Sequence, residues 1–182
     1  MRNTSEQFDA IAVQCADIFS KKARDYGTAW RILRPSSLTD QIFIKAHRIR
    51  SIELKGEAKI NEGIVPEFIG IVNYSIMALI QLEKGFEDSE QLTLPLEEIE
   101  KLFHQYMANA KSLMMDKNHD YGEAWRQMRI SSLNDIILMK LLRIKQIEDN
   151  NGQTTVSEGL DANYYDIINY AIFALIRFGV GS

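Results

Sequence analysis

Glu158, Asp161, Tyr165 and Asn169 stand at intervals of three, four and four residues, a spacing that lines one face of an α-helix. Two carboxylates one turn apart on such a stripe could share a hard divalent cation, because Mg2+ and Mn2+ favour oxygen ligands and few protein contacts. The same acids could instead act as favourable charges at the positive end of a helix. Lys140 and Arg143 lie three apart in the apolar run IILMKLLRI, where a cation needs a partner. A phosphate or the carboxylates of the third helix, over 158–178, would serve. Lys117, Asp120, Tyr121 and Trp125 gather in the stretch KNHDYGEAW. Asp120 offers a cap for backbone amides or a further oxygen ligand. Tyr121 and Trp125 offer rings that could stack on a base or pack in a core.

Most of these residues occur twice. DYGTAW begins at Asp25 and DYGEAW at Asp120, ninety-five residues later. At the same offset Lys22 meets Lys117, Arg34 meets Arg129, and Ser36-Ser37 meet Ser131-Ser132. Asp40 meets Asp135, Lys45 meets Lys140, Arg48 meets Arg143, and Glu53 meets Glu148. One extra residue then enters the second copy, after which EGIVPEFIGIVNYSIMALI aligns with EGLDANYYDIINYAIFALI at an offset of ninety-six. The chain is a tandem duplication: a first repeat over 1–82, a charged linker over 83–97 and a second repeat over 98–182. Along the acidic stripe Glu62 and Asn73 persist in the first repeat, while Asp161 becomes Val65 and Asp166 becomes Gly70. An acidic site retained in the second copy and degenerate in the first explains this difference; plain drift is the alternative.

Each repeat must then supply three long helices. Apolar spacing predicts the first over 5–24 and 97–118, ended by the hexad glycine, with a short helical piece through Trp30 or Trp125. A second helix opens at SSL, where serine can cap the first turn, and runs to about 54 or 149. A third spans 62–82 and 158–178, too long for an ordinary strand. The expected fold is all-α, a pseudo-twofold bundle of two three-helix units.

With 182 residues, 46% of them apolar and 25% charged, the chain is long enough for a real core. Its net charge of −4 gives no electrostatic footprint for a nucleic-acid polymer. The single Cys15 excludes an internal disulfide. No signal-peptide core and no bilayer-length apolar run is read from the sequence, so no membrane and a cytoplasmic location are expected. No histidine constellation repeats, and the sequence holds no CxxC, GxGxxG or Walker lysine motif.

The series K-x-x-DYG-x-AW, SSL-x-D, K-x-x-RI-x-x-IE, EG and NY resembles the nucleotide modification associated domain 1 family, in two copies over nearly the whole chain. More distantly it is similar to all-α nucleoside triphosphate pyrophosphatases, the MazG-like proteins and dimeric dUTPases. The resemblance implies Mg2+ or Mn2+ held by Glu158, Asp161 and Asp120, with Glu158 and Asp161 catalytic. It also implies a nucleotide bound by Lys117, Tyr121, Trp125, Lys140, Arg143 and Asn169. Water activated by the metal would release pyrophosphate. The first acidic motif of those enzymes, ExxE, has no counterpart before the hexad. The alternative is a non-catalytic nucleotide-binding or helical interaction module. Pairing of the chain with itself is left open.

Overall fold

The repeated pattern of apolar spacing becomes a repeated pattern of helices. The computed structural model describes residues 3–56, 60–89, 92–156 and 158–182, with the backbone alone for 60–62. Glu62 therefore lies outside the described side chains. Among the described residues are α1 (Thr4–Tyr26), α2 (Pro35–Lys55), α3 (Ile60–Lys84), α4 (Leu96–Tyr121), α5 (Ile130–Asp149) and α6 (Leu160–Arg177). Short 3-10 helices follow α1 at Ala29–Ile32 and α4 at Ala124–Gln127. The described residues contain no strand. The fold is all-α, as expected.

The hexad ends a helix identically in both copies. Gly27 and Gly122 take φ of 64° and 68°, a conformation open to glycine at little cost. Their N–H groups close the preceding helices onto the carbonyls of Ala23 and Asn118, each at 2.8 Å. The serines do not cap as expected. Arg34 and Arg129 occupy the cap positions without a side-chain bond, and α2 and α5 start one residue later. Both serine pairs thus fall inside the first turn. Pro35 suits its place as first helical residue, where no partner for an N–H is needed.

α3 and α6 form the centre. From Asn163 to Ile176 only Tyr165 and Tyr170 escape full burial. α2 packs on α3, α5 on α6, and α3 crosses to α6 of the other repeat, while α2 meets α5. α1 and α4 flank this four-helix core and meet each other, with Phe19 and Phe103 stacked at 4.5 Å between centroids. The pseudo-twofold relation is explicit in the side chains. Arg50 pairs with Asp135 at 2.7 Å, and their counterparts Lys145 and Asp40 pair at 3.2 Å. Such reciprocal contacts are the signature of a twofold, self-complementary interface. Asn73 and Asn169 likewise donate to the carbonyls of Cys15 and Ala110, at 3.1 and 3.0 Å. The repeats share one core.

Two sequence readings change here. Gly63–Lys84 is long and apolar enough, at a mean hydropathy of 1.6, to cross a membrane by length and composition. Most of that stretch is buried between α2 and α6, so its place in the core accounts for its apolarity. The start of the linker is also tied to the first repeat. Arg31, almost wholly buried, donates to the Gln81 side chain, to the Gly85 carbonyl at 2.6 Å and to Glu87 at 3.4 Å.

Glu53 and Glu148, equivalent residues near the ends of α2 and α5, are both raised above the usual carboxylate value. Burial is the main cause, with Asp135 adding at Glu53 and Asp40 at Glu148. A raised carboxylate means the native state holds its proton more tightly than the unfolded chain. Stability is therefore greatest below the unfolded value and falls as pH rises through the native one. Glu148 accepts from Thr39 Oγ1 at 3.2 Å, which a glutamine oxygen can also do. Glu148→Gln should raise the melting temperature at about pH 7 and give no gain at about pH 3, where the carboxyl is already neutral. Thermal unfolding followed by circular dichroism checks this; equal gains at both pH values would contradict it.

Candidate anion-binding site

Asp166 is the hub of the polar cluster in the second repeat. α6 holds its carboxylate, 11% exposed, between two lysines. Lys117 from α4 reaches Oδ1 at 2.6 Å, and Lys140 from α5 reaches Oδ2 at 2.9 Å. Burial lowers the Lys117 ammonium, but the hydrogen bond and charge of Asp166, with the further charge of Glu158, outweigh it and hold the group above its ordinary value. Both lysines of the sequence reading are therefore gathered at one carboxylate. That carboxylate is Asp166, one of the two acids the first repeat lacks.

Glu158 lies on the same side. With Lys140, Arg143, Gln146 and Asn163 it lines an open groove of about 610 Å3 at the end of α5. Arg143 is exposed there and forms no ion pair among the described residues. Glu158 and Asn163 bracket the start of α6 on this wall.

The remaining predicted ligands do not converge. The expected stripe required Glu158 to be helical, but α6 starts at Leu160, so Glu158 precedes the cap. Asp161 sits in the first turn and lines a separate cleft with Glu83, Tyr106 and Tyr165. Its charge suits the positive helix end. Asp120 is 68% exposed, with Oδ1 3.3 Å from His119 Nδ1. Among the described residues no group of three His, Cys, Asp or Glu side chains could hold an ion. A resident Mg2+ or Mn2+ at Glu158, Asp161 and Asp120 does not fit the residues as they are placed.

The other candidates divide between core and surface. Trp125 is buried and stacks on Phe173, with centroids 4.1 Å and planes 4° apart; it packs rather than faces a base. Asn169 holds the Ala110 carbonyl within the core. Tyr121 is exposed at the end of α4. Cys15 is buried, and burial pushes its thiol up to about 12, so it is inert as a nucleophile.

The first repeat solves the same charge problem differently. Lys45 and Arg48 meet Glu67, at 3.4 and 3.2 Å. Glu67 corresponds to Asn163, whereas the position of Asp166 holds Gly70. The carboxylate has moved one turn along the third helix. Sequence reasoning looked to the third helix for a partner carboxylate, and the partners do lie there, but it singled out neither Asp166 nor Glu67.

Fold and site define an all-α protein of two fused repeats, each balancing the matched lysine of its second helix with a carboxylate of its third. Its family is the nucleotide modification associated domain 1 family, whose profile matches residues 22–82 and 117–178. The chain belongs to that family, in two tandem copies. Each match includes the hexad and the second helix, with most of α3 in the first and all of α6 in the second. No curated protein and no solved structure shows significant similarity to the chain.

Removing one member of a buried pair leaves the other charge uncompensated. Asp166→Asn should therefore destabilise the protein by about 3 kcal/mol in urea unfolding, through Lys140. A cost below about 1 kcal/mol, the range of exposed pairs, would show that the cluster is solvated rather than structural.

Proposed function

We propose that this protein is a nucleotide-binding module of nucleotide metabolism or modification that receives phosphate on the Lys140–Arg143 face of its second repeat. The observation that carries this reading is Arg143: a guanidinium without an ion-pair partner among the described residues, one turn from Lys140, at the wall of an open polar groove. Guanidinium groups match phosphate oxygens in geometry and charge. Glu158 in the same wall disfavours a bare anion and suits a phosphate that arrives with its own Mg2+ or Mn2+. In this reading the metal is the nucleotide's counter-ion. Lys117 acts through Asp166, and exposed Tyr121 is free to meet a base.

A pyrophosphohydrolase would need Glu158 and Asp161 on one ion, and they open on different clefts; the binding module is therefore the preferred reading. A small nucleotide ligand accords with a cytoplasmic protein that engages neither a nucleic-acid polymer nor a membrane. Binding of this kind does not require a second copy of the chain.

Calorimetric titration with the common nucleoside triphosphates, with Mg2+ and with chelator, tests the reading. Saturable binding of at least one is expected, weakening as salt rises. Arg143→Ala should lower its affinity about tenfold, the loss of one charge-assisted hydrogen bond. Absence of binding by every triphosphate would overturn the proposal, and release of pyrophosphate by the unmodified protein would replace it with the hydrolase.

A further inference from the structure

We infer that the first repeat carries a separate ligand site, a cavity that takes a flat aromatic ring joined through a spacer to an anionic group. Each repeat shows what the other lacks. In the second, the space beside the hexad tryptophan is filled by Phe173, parallel to Trp125 at 4.1 Å. In the first, Met77 stands at the position of Phe173 and Trp30 is only half-buried. A cavity of about 440 Å3 opens there, walled by Phe19, Trp30, Tyr74 and Met77. The second repeat thus shows that a ring fits flat against the hexad tryptophan, whereas in the first only Phe19 meets Trp30, edge-on at 6.3 Å between centroids.

The charges repeat the pattern. Lys117 and Lys140 share the Asp166 carboxylate, but their counterparts Lys22 and Lys45 line a cavity with Gly70 in its place. Lys45 leans across Gly70, so closely that a Cβ there would lie 2.8 Å from its Cε, and it meets Glu67 only at 3.4 Å. Lys22 forms no ion pair among the described residues. A ligand carboxylate or phosphate between the two ammonium groups would occupy the place that Asp166 takes in the other repeat. Asn73, 7% exposed, also lines the cavity, and its Oδ1 has no hydrogen-bond partner. Asn169 leaves the same oxygen free in the filled site, so the ring and the carboxylate carry the comparison.

The spacing narrows the ligand. The positions of Phe173 and Asp166 are seven residues apart, roughly 10 Å along a helix. A ring bearing a carboxyl directly is too short to reach both. A nucleoside monophosphate, with a sugar between base and phosphate, reaches them with help from the flexible lysines. The cavity is distinct from the Lys140–Arg143 groove, and binding in one does not depend on binding in the other.

Titration of 15N-labelled protein with adenosine monophosphate, adenosine and ribose 5-phosphate, read at the indole N–H signals of the two tryptophans, tests this site locally. Adenosine monophosphate should shift the Trp30 signal saturably and leave that of Trp125 in place. Adenosine should bind on the order of tenfold more weakly for want of the charge-assisted contact, and ribose 5-phosphate should not shift Trp30. Met77→Phe, which supplies the ring of the second repeat, should abolish the shift and raise the melting temperature. Gly70→Asp, which occupies both lysines, should reduce the monophosphate to the affinity of adenosine. The inference is overturned if the monophosphate gives no saturable Trp30 shift, if ribose 5-phosphate serves as well, or if the shift survives Met77→Phe in folded protein. Should that variant not fold, the comparison of the three probes on the unmodified protein still decides.

Discussion

Where α3 crosses α6, two helices too apolar to face water on any broad side bury each other, and every other element is placed by that contact. α2 and α5 each cover one outer face of their own repeat's third helix, and α1 and α4 close the remaining sides. Each fully buried Ile or Leu side chain contributes roughly 1.5–3 kcal/mol relative to exposure. Ile76, Ile80, Ile172 and Leu175 are all fully buried in the joint core. Neither third helix could keep its apolar surface covered if the repeats separated. Fusion in one chain guarantees that both partners are present.

With the core set by twofold packing, the polar residues around it can diverge without disturbing the architecture. The reciprocal pairs Arg50–Asp135 and Lys145–Asp40 have kept their roles, as have Asn73 and Asn169. The lysines of the second helices have kept their positions and changed their partners. A carboxylate at 166 in one repeat and at 67 in the other satisfies the same need one helical turn apart. Next to them, the exchange of Phe173 for Met77 turns a closed aromatic stack into a cavity. Two sites of different shape thus arise from one ancestral plan: a polar groove at the second repeat and an apolar, lysine-edged cavity at the first.

Much of this was legible from the amino acids. Duplicated hexads, apolar spacing and the length of each periodic run gave six helices and a common plan, because these depend on local rules repeated twice. The demand of Lys140 for a carboxylate was also legible. The third helix was legible as the source of that carboxylate, but Asp166 was not, because the acidic stripe was drawn through Glu158 on the assumption that the helix already included it. The chain instead enters α6 at Gly159 and Leu160, and that difference of two residues sends Glu158 and Asp161 to different clefts. Core packing of Trp125 was one of two open readings, but its stacking partner Phe173 was hidden, lying forty-eight residues away in sequence. The first repeat's cavity could be suspected only from the pairing of Met77 with Phe173 and Gly70 with Asp166, two absences whose meaning depends on the fold.

Native-state hydrogen exchange tests the dependence of the whole molecule on the α3–α6 seam. If the two repeats form one core, the most protected amides of α3 and α6 should open with a common free energy equal to that of global unfolding in denaturant. Protection of α6 surviving while α3 opens at a distinctly lower free energy would contradict the account, and would mean that each repeat holds its own core.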